Sequence, residues 1–583
     1  MKELSKKIAV FGLALALLPG CASLEKMKKN AGQIRYKVMP EILETHGGKV
    51  DIAINGIFPP KYFIRKAKMV TTPVMVYDGG ETKLPVITLQ GTKVPDNNKE
   101  ISFETGGNYS YKQNIPYQEA MRSSELVIRA QIGLGKKTID LDPVPVARGV
   151  LATSTLMANI PKPVLGIRRE ANTTGKYDPA IDPFQRIVPD EMIADITYLI
   201  NSADLRKEEK KAADVKEFID YTKSADKDSR KEVKKVEITA YASPDGTLDI
   251  NADLAAKREK VSTAFVEEEL KKTEVINKLR TKYTPEDWEG FKQMMETSNI
   301  QDKELILRVL SMYSDPEVRE REIRNLSSTF TQIAEEVLPK LRRAKLMTSV
   351  NIIGKTDEEI IAIAESNPGS LNQAELLYAA SLTDDPEKKL KIYDAFSQVY
   401  PSDWRGPNNT GVILAQQYKY TEAKPWFEKA EKLKNNEPVV KNNLGTVALF
   451  ENDLRKAEEY FGAAAGSGNE VNYNLGLLYI CKGDYNHANQ YFGSMTDPNT
   501  ALVKLLSGNY NGALRDLENF DKPGCYLKEY LKAIIGARTN NDKLFYESLT
   551  AAMKLNPSWK TRARTDLEFA KYFDKANFKE ITK

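Results

Sequence analysis

Apolar residues alternate along the first third of the chain. Val50, Ile52 and Ile54 lie two apart; Val74 and Val76, then Val86-Ile87-Thr88-Leu89, Ile101 with Phe103, and Leu126-Val127-Ile128 follow at short intervals. Asp78-Gly79-Gly80, Gly91 and Gly106-Gly107 separate these runs. A period of two between glycine turns predicts short strands and an all-β sandwich over residues 48–165. Phe58-Pro59-Pro60-Lys61-Tyr62-Phe63 fits either a docking edge or a plug for one end of that sandwich. Polar residues from Arg168 to Asp182, with Gly175 and Pro179 among them, read as a linker.

The middle of the chain mixes both periods. Ile196 to Ile200 reads as a strand, and Val215, Phe218, Ile219 and Thr222 share one face of a helix. Val236, Ile238 and Ala240 alternate again and stop at Ser243-Pro244-Asp245-Gly246. Leu254, Ala255, Val261 and Phe265 then recur near helical spacing, with Asp249 or Asn251 placed to cap the helix. Leu346, Thr348, Val350 and Ile352 form the last alternating run. The result is a central α+β domain over 185–355, with a helical insertion at about 272–336.

After Gly354 the pattern becomes helical and repetitive. Gly411, Ala423, Phe427 and Ala430 return as Gly445, Ala457, Phe461 and Ala464, and 445 minus 411 is 34. Gly476, Ala488 and Phe492 continue the series after 31 residues. Flanking copies are degenerate: Tyr393 with Pro401 before, Ala513 with Leu517 after, and Phe545, Leu549, Ala552 and Pro557 last. The motif resembles the tetratricopeptide repeat, whose period is 34. That resemblance implies an α-solenoid over 356–575, five or six repeats around a concave groove that docks protein partners. Asn409, Asn443 and Asn474 each precede the repeat glycine by two residues. In peptide-binding members of the family this position hydrogen-bonds ligand backbone, so the three are candidate partner-binding residues.

The central stretch resembles the OmpA-like peptidoglycan-binding domain. Ala240-Tyr241, Gly246, Asn251, Leu254, Ala255 and Arg258 stand in the family's register. There an Asp and an Arg fifteen positions apart hold the ionic ends of diaminopimelate. Arg258 matches the Arg, while counting back fifteen gives Ser243, a neutral residue. The resemblance therefore implies that Arg258 takes the carboxylate of the wall peptide, that Asp245 or Ser243 takes its amine, and that Asn251 braces the loop. The insertion, the Ala-Ser-Pro-Asp-Gly loop and Pro339-Lys340-Leu341-Arg342-Arg343 are similar to a variant found in Bacteroidota envelope proteins.

Composition narrows the chemistry. The 583 residues carry 85 Lys and Arg against 81 Asp and Glu, a balance that gives no footprint for nucleic acid. Two histidines, His46 and His487, and three cysteines, Cys21, Cys481 and Cys525, offer neither metal-ligand spacing nor a nucleophile with its base. No catalytic residue, metal site or cofactor is expected, and Cys481 and Cys525 are expected to be buried thiols. Lys2, Lys6 and Lys7 precede eleven mostly apolar residues, Ile8 to Leu18, too few to span a bilayer. Leu18-Pro19-Gly20-Cys21 then resembles the bacterial lipobox, which implies a signal peptide over 1–20, lipidation of Cys21 and an anchor linker over 21–47. Without an acidic run after Cys21, the expected place is the periplasmic face of the outer membrane. The expected function is a non-catalytic lipoprotein tethering the outer membrane or a partner complex to peptidoglycan, with the repeats as docking scaffold. The alternative is an accessory subunit of an envelope machine, for secretion, fimbria assembly or outer-membrane protein insertion, whose OmpA-like domain no longer binds the wall.

Overall fold

The structure is a computed structural model that describes residues 19–158 and 184–583, apart from 245, 301, 326 and 467, and leaves out the side chains of 19–22 and 327–329. The predicted signal peptide through Leu18, the linker at 168–182 and the candidate Asp245 lie outside the described residues. The chain forms two compact units, one from residues up to 166 together with Pro401–Lys583, the other from Ile167–Tyr400.

The first unit begins with helix α1 (Pro19–Lys29) and eleven strands: β1 (Arg35–Met39), β2 (Ile42–His46), β3 (Lys49–Phe58), β4 (Lys68–Tyr77), β5 (Gly80–Lys83), β6 (Ile87–Gly91), β7 (Lys99–Ile101), β8 (Gly107–Pro116), β9 (Ser124–Leu134), β10 (Lys137–Asp140) and β11 (Val144–Leu151). They make one continuous sheet where two separate leaves were expected. The join is β2, which turns into β3 through Gly47-Gly48 and runs parallel to β11 with Ile42 opposite Arg148. Alternation on β3 buries Val50, Ile52 and Ile54 against Met69, Leu126, Ile128 and Ile132 from β4 and β9. Phe58, Tyr62 and Phe63 fill that core, so the aromatic cluster is a plug, and its docking-edge reading falls. The stretch read as an anchor linker, 21–47, is folded: β1 and β2 lie in it, and Leu24 and Met27 of α1 are buried in the same core.

The second unit has a four-stranded sheet. Strands β12 (Ile187–Thr197), β13 (Lys231–Tyr241), β14 (Leu279–Thr284) and β15 (Arg343–Ile353) stand in the order β12-β15-β13-β14. β15 is antiparallel to both neighbours and β13 is parallel to β14. Helices α2 (Ala213–Lys227) and α3 (Leu248–Leu270) connect the first strands, burying Val215, Phe218 and Ile219 and then Val266 and Leu270 under the sheet. β14 falls inside the predicted insertion; its pattern is almost wholly exposed, as an edge strand allows. The rest of the insertion is helical, α4 (Trp288–Thr297), α5 (Lys303–Met312), α6 (Pro316–Arg324), α7 (Ser327–Glu336) and α8 (Leu338–Leu341), around its own core of Phe291, Met295, Ile306, Ile323 and Leu341.

The repeat array does not begin as a separate body at 356. Helices α9 (Asp357–Ser366), α10 (Gln373–Ser381) and α11 (Pro386–Val399) belong to the second unit. Arg230 meets Glu359 at 2.8 Å, Lys355 meets Glu375 at 2.9 Å, Arg186 pairs with Asp357, and Phe184 stacks on Tyr378 at 4.3 Å. From Arg405 onward, helix pairs α12/α13 (Arg405–Gln416, Tyr420–Leu433), α14/α15 (Pro438–Phe450, Leu454–Ala463), α16/α17 (Asn469–Lys482, Tyr485–Phe492), α18/α19 (Pro498–Leu506, Tyr510–Asn519) and α20/α21 (Tyr526–Arg538, Asp542–Leu555) form a tetratricopeptide-type array. The glycine is a notch for the phenylalanine of its own pair. A Cβ on Gly411, Gly445 or Gly476 would come within 2.7, 2.5 or 2.4 Å of Phe427, Phe461 or Phe492. Past α21, Phe569, Tyr572 and Phe578 cap the array, and Tyr572 stacks on Phe545 with ring centroids 3.8 Å apart.

The array and the β sheet share one unit through several specific contacts. His46 Nδ1 lies 2.7 Å from the Tyr485 hydroxyl, and Gly47 is so close to the α16 end that a Cβ would sit 2.7 Å from the Lys482 carbonyl oxygen. Arg122 donates to the Arg562 carbonyl and the Thr565 hydroxyl at 3.1 and 2.8 Å.

Gly445→Ala is expected to cost about 1 to 3 kcal/mol through overpacking against Phe461. Gly462→Ala, where a Cβ meets nothing within 4 Å, is expected to be neutral or to stabilise by up to about 1 kcal/mol. Urea denaturation of the full chain, followed by circular dichroism, compares the two.

Candidate functional sites

The loop between β13 and α3 carries the residues that sequence singled out in the second unit. Thr247 precedes the helix as its N-cap residue, while Asp249 lies in the first turn, so neither predicted cap residue holds that place. Asn251 is buried and donates from Nδ2 to the Gly246 carbonyl and to Glu286 Oε1, both at 3.0 Å. Ser243 is buried and accepts from Arg342 Nε at 3.1 Å. Arg258 is 1% exposed. Its Nε, Nη1 and Nη2 donate to the carbonyls of Ser202, Tyr241 and Leu199 at 3.0, 2.9 and 3.2 Å, and its guanidinium carbon lies 5.2 Å from the Tyr198 ring centroid. In this conformation the guanidinium ties the chain after β12 to the end of β13.

Residues that sequence reasoning did not assign to the loop also gather there. Glu286 takes Trp288 Nε1 at 2.8 Å besides Asn251. Arg343 spans Asp195 at 2.8 Å and Asp287 at 2.9 Å. Burial pulls the Arg343 pKa down, but the two carboxylates outweigh it and leave the pKa above its ordinary value. Burial likewise raises Tyr198, whose hydroxyl lies 2.6 Å from Ser262 Oγ. The Pro-x-Leu-Arg-Arg motif was the available signal: at the start of β15 Arg342 holds Ser243 of the loop, and Arg343 ties Asp195 of β12 to Asp287 at the start of α4.

In the repeats, Asn409, Asn443 and Asn474 lie on the first helices of successive pairs and are at most 1% exposed. They form a ladder with the residue beside them. Asn443 donates to Asn408 at 2.8 Å and Asn474 to Asn442 at 2.9 Å, while Asn408 and Asn442 bond Asn409 and Asn443 at 3.1 and 3.2 Å. A fourth member stands outside the regular spacing. Asn499 precedes Ala501 by two, and Ala513 and Leu517 follow Ala501 by 12 and 16, the spacings of Ala423 and Phe427 after Gly411. Asn499 Oδ1 accepts from the Ala158 N–H at 2.7 Å and Nδ2 donates to the Ala158 carbonyl at 2.9 Å. The same Nδ2 reaches the Tyr473 hydroxyl at 2.8 Å.

Cys481 and Cys525 are half-buried and unbonded to each other. Burial pushes the Cys481 thiol up to about 11, the opposite of what a redox sensor needs. Among the described residues no cluster of His, Cys, Asp and Glu is arranged to hold a metal, and no helix is long and apolar enough to cross a membrane. Cys21 falls within α1, and its side chain lies outside the described residues.

No protein-family model matches the chain, and no curated protein matches it. Among solved structures it is similar to the pilF protein of Pseudomonas aeruginosa, at 14% identity over 37% of this chain and 99% of that one, with a TM-score of 0.30. It is also similar to a tetratricopeptide repeat protein of Parabacteroides merdae, at 19% identity over 39% and 97%, TM-score 0.25. PilW, a type IV pilus biogenesis factor, follows at 15% identity over 39% and 89%, TM-score 0.23. Each likeness covers two fifths of this chain or less and touches its fold alone.

Arg258→Ala is expected to lower the stability of the second unit by about 2 to 4 kcal/mol, because it empties a fully buried site and strips three part-buried carbonyls of their charged donor. Arg258→Lys should fall between. A urea melt unchanged within about 0.5 kcal/mol, the range of an ordinary surface substitution, would contradict the bracing role.

Proposed function

We propose that this chain is a non-catalytic envelope lipoprotein that serves as a docking scaffold, an accessory subunit of a protein assembly at the outer membrane. The observation that carries the reading is Asn499, the last of the asparagine series on the first helices of the repeats, whose amide holds the N–H and the C=O of Ala158, while Asn409, Asn443 and Asn474 are buried in a ladder with their neighbours. A neutral amide that pairs with both N–H and C=O recognises backbone rather than side chain, which suits docking of a peptide segment. The lipobox-like Cys21 supplies the proposed anchor. It lies three residues before the fully buried Leu24, so acyl chains on Cys21 would hold the β sheet close to the bilayer, on the periplasmic face in this reading.

Tethering to peptidoglycan is the second reading. It is favoured by Asn251, whose bond to the Gly246 carbonyl is the brace that the OmpA-like resemblance implies. The inward set of Arg258 favours the docking reading, because a wall-peptide carboxylate would have to draw that guanidinium away from three carbonyls.

Both readings are tested by co-sedimenting the full mature chain with purified sacculi, alongside affinity capture from solubilised envelopes. The docking reading predicts no retention on sacculi and a specific protein captured in stoichiometric amount. Saturable retention on sacculi, lost in a folded Asn251→Ala variant, would replace it with the tether.

A further inference from the structure

The segment Ala152–Ala158 leaves β11 and runs onto the repeats as a strap. It is fixed by side chains and by main chain together. Thr153 donates to Glu568, which Arg538 also holds at 2.9 Å. Ser154 donates to the Thr45 carbonyl at 2.6 Å, tying the strap back to β2. Leu156 is buried in the cluster formed by Leu502, Leu505, Leu531 and their neighbours, and Met157 packs against that cluster and against the one around Phe492. Ala158 then presents its N–H and C=O to Asn499.

Asn499 is fully buried, and it occupies the slot that Asn474, Asn443 and Asn409 occupy in the preceding pairs. An Asn amide that bonds one residue's N–H and C=O reproduces what a neighbouring β-strand would offer, and the held residue, Ala158, is small enough to pack against the repeat core. Selectivity comes from the apolar residue two positions earlier, here Leu156, seated in a pocket of aliphatic side chains.

We propose that the strap is the resident ligand of this part of the repeats. The first-helix face around Asn499 takes a segment shaped like the strap, in which the short 3-10 turn Thr153–Leu156 delivers a bulky apolar residue two positions before a small one whose N–H and C=O meet Asn499. Ala152–Ala158 occupies the place in cis, and a partner segment of that form docks only when the strap leaves. This rests on the docking reading and names what that surface recognises. Tethering gives the strap an effective concentration on the order of millimolar, enough to exclude a free peptide of modest affinity.

The test uses the full chain and a fluorescent, C-terminally amidated peptide with the sequence of Ala152–Ala158. Wild type is expected to bind it weakly. Leu156→Asp releases the strap and leaves the receiving surface intact, so it should bind the peptide at least tenfold more tightly, and adding Asn499→Ala should abolish the gain. Equal binding by wild type and a folded Leu156→Asp chain whose Ala158 amide exchanges freely would overturn the proposal, as would a gain indifferent to Asn499→Ala. If Leu156→Asp does not fold, hydrogen exchange decides. The Ala158 amide should be protected in wild type and lose at least tenfold of that protection in Asn499→Ala; equal protection in both overturns the clamp. Failure to capture a partner from envelopes leaves these outcomes unaffected, so the two readings fail separately.

Discussion

One side-chain amide joins parts of the chain more than three hundred residues apart. Asn499 holds the peptide of Ala158 by donor and acceptor together, and the surrounding contacts follow from that fixed point. Leu156 reaches the repeat core, Thr153 reaches Glu568, and the β2–β3 turn comes against the end of α16. A neutral amide suits the role. A buried charge in its place would need a compensating partner, whereas the amide and the peptide satisfy each other.

The second unit is held by charge turned inward. Arg258, Arg342 and Arg343 each commit donors to carbonyls, a hydroxyl or carboxylates around the β13–α3 loop. Three cations arranged so make a stiff junction, because moving any one of them leaves a part-buried or buried acceptor without its charged donor. The repeats work by another rule: shape rather than charge sets their spacing, through the glycine notch filled by Phe427, Phe461 and Phe492. Between them, the amide column on the first helices pairs Asn409, Asn443 and Asn474 with Asn408 and Asn442, and its last member, Asn499, meets main chain from outside the repeats.

Much of this was legible in the chain. The notch and its ring must recur together for helix pairs to close, so Gly445 with Phe461 announced a repeat on sight. Asn499 was hidden because Ala501 replaces the glycine and the spacing shrinks to 25, although the following Ala513 and Leu517 keep their distances. Strands β1 and β14 were missed because edge strands expose most of their residues and alternate poorly. The inward direction of Arg258 is set by carbonyls from Leu199 and Ser202, far away in sequence, and no local pattern encodes a side chain's heading. The union of the sheet with the repeats rests on a handful of single contacts such as His46 with Tyr485, which leave no periodic trace.

Native-state hydrogen exchange on the full chain decides whether the N-terminal sheet and the repeats unfold as one. Two compact units, one assembled from both ends of the sequence, predict that the most protected amides of β3, β4 and β9 open together with those of α14, α16 and α20. Those of β13 and β15 should open at a separate free energy. Exchange of the N-terminal strands that is unmoved when a repeat substitution such as Gly445→Ala lowers the protection of α14 and α16 would contradict a shared unit, and with it the strap as the link between them.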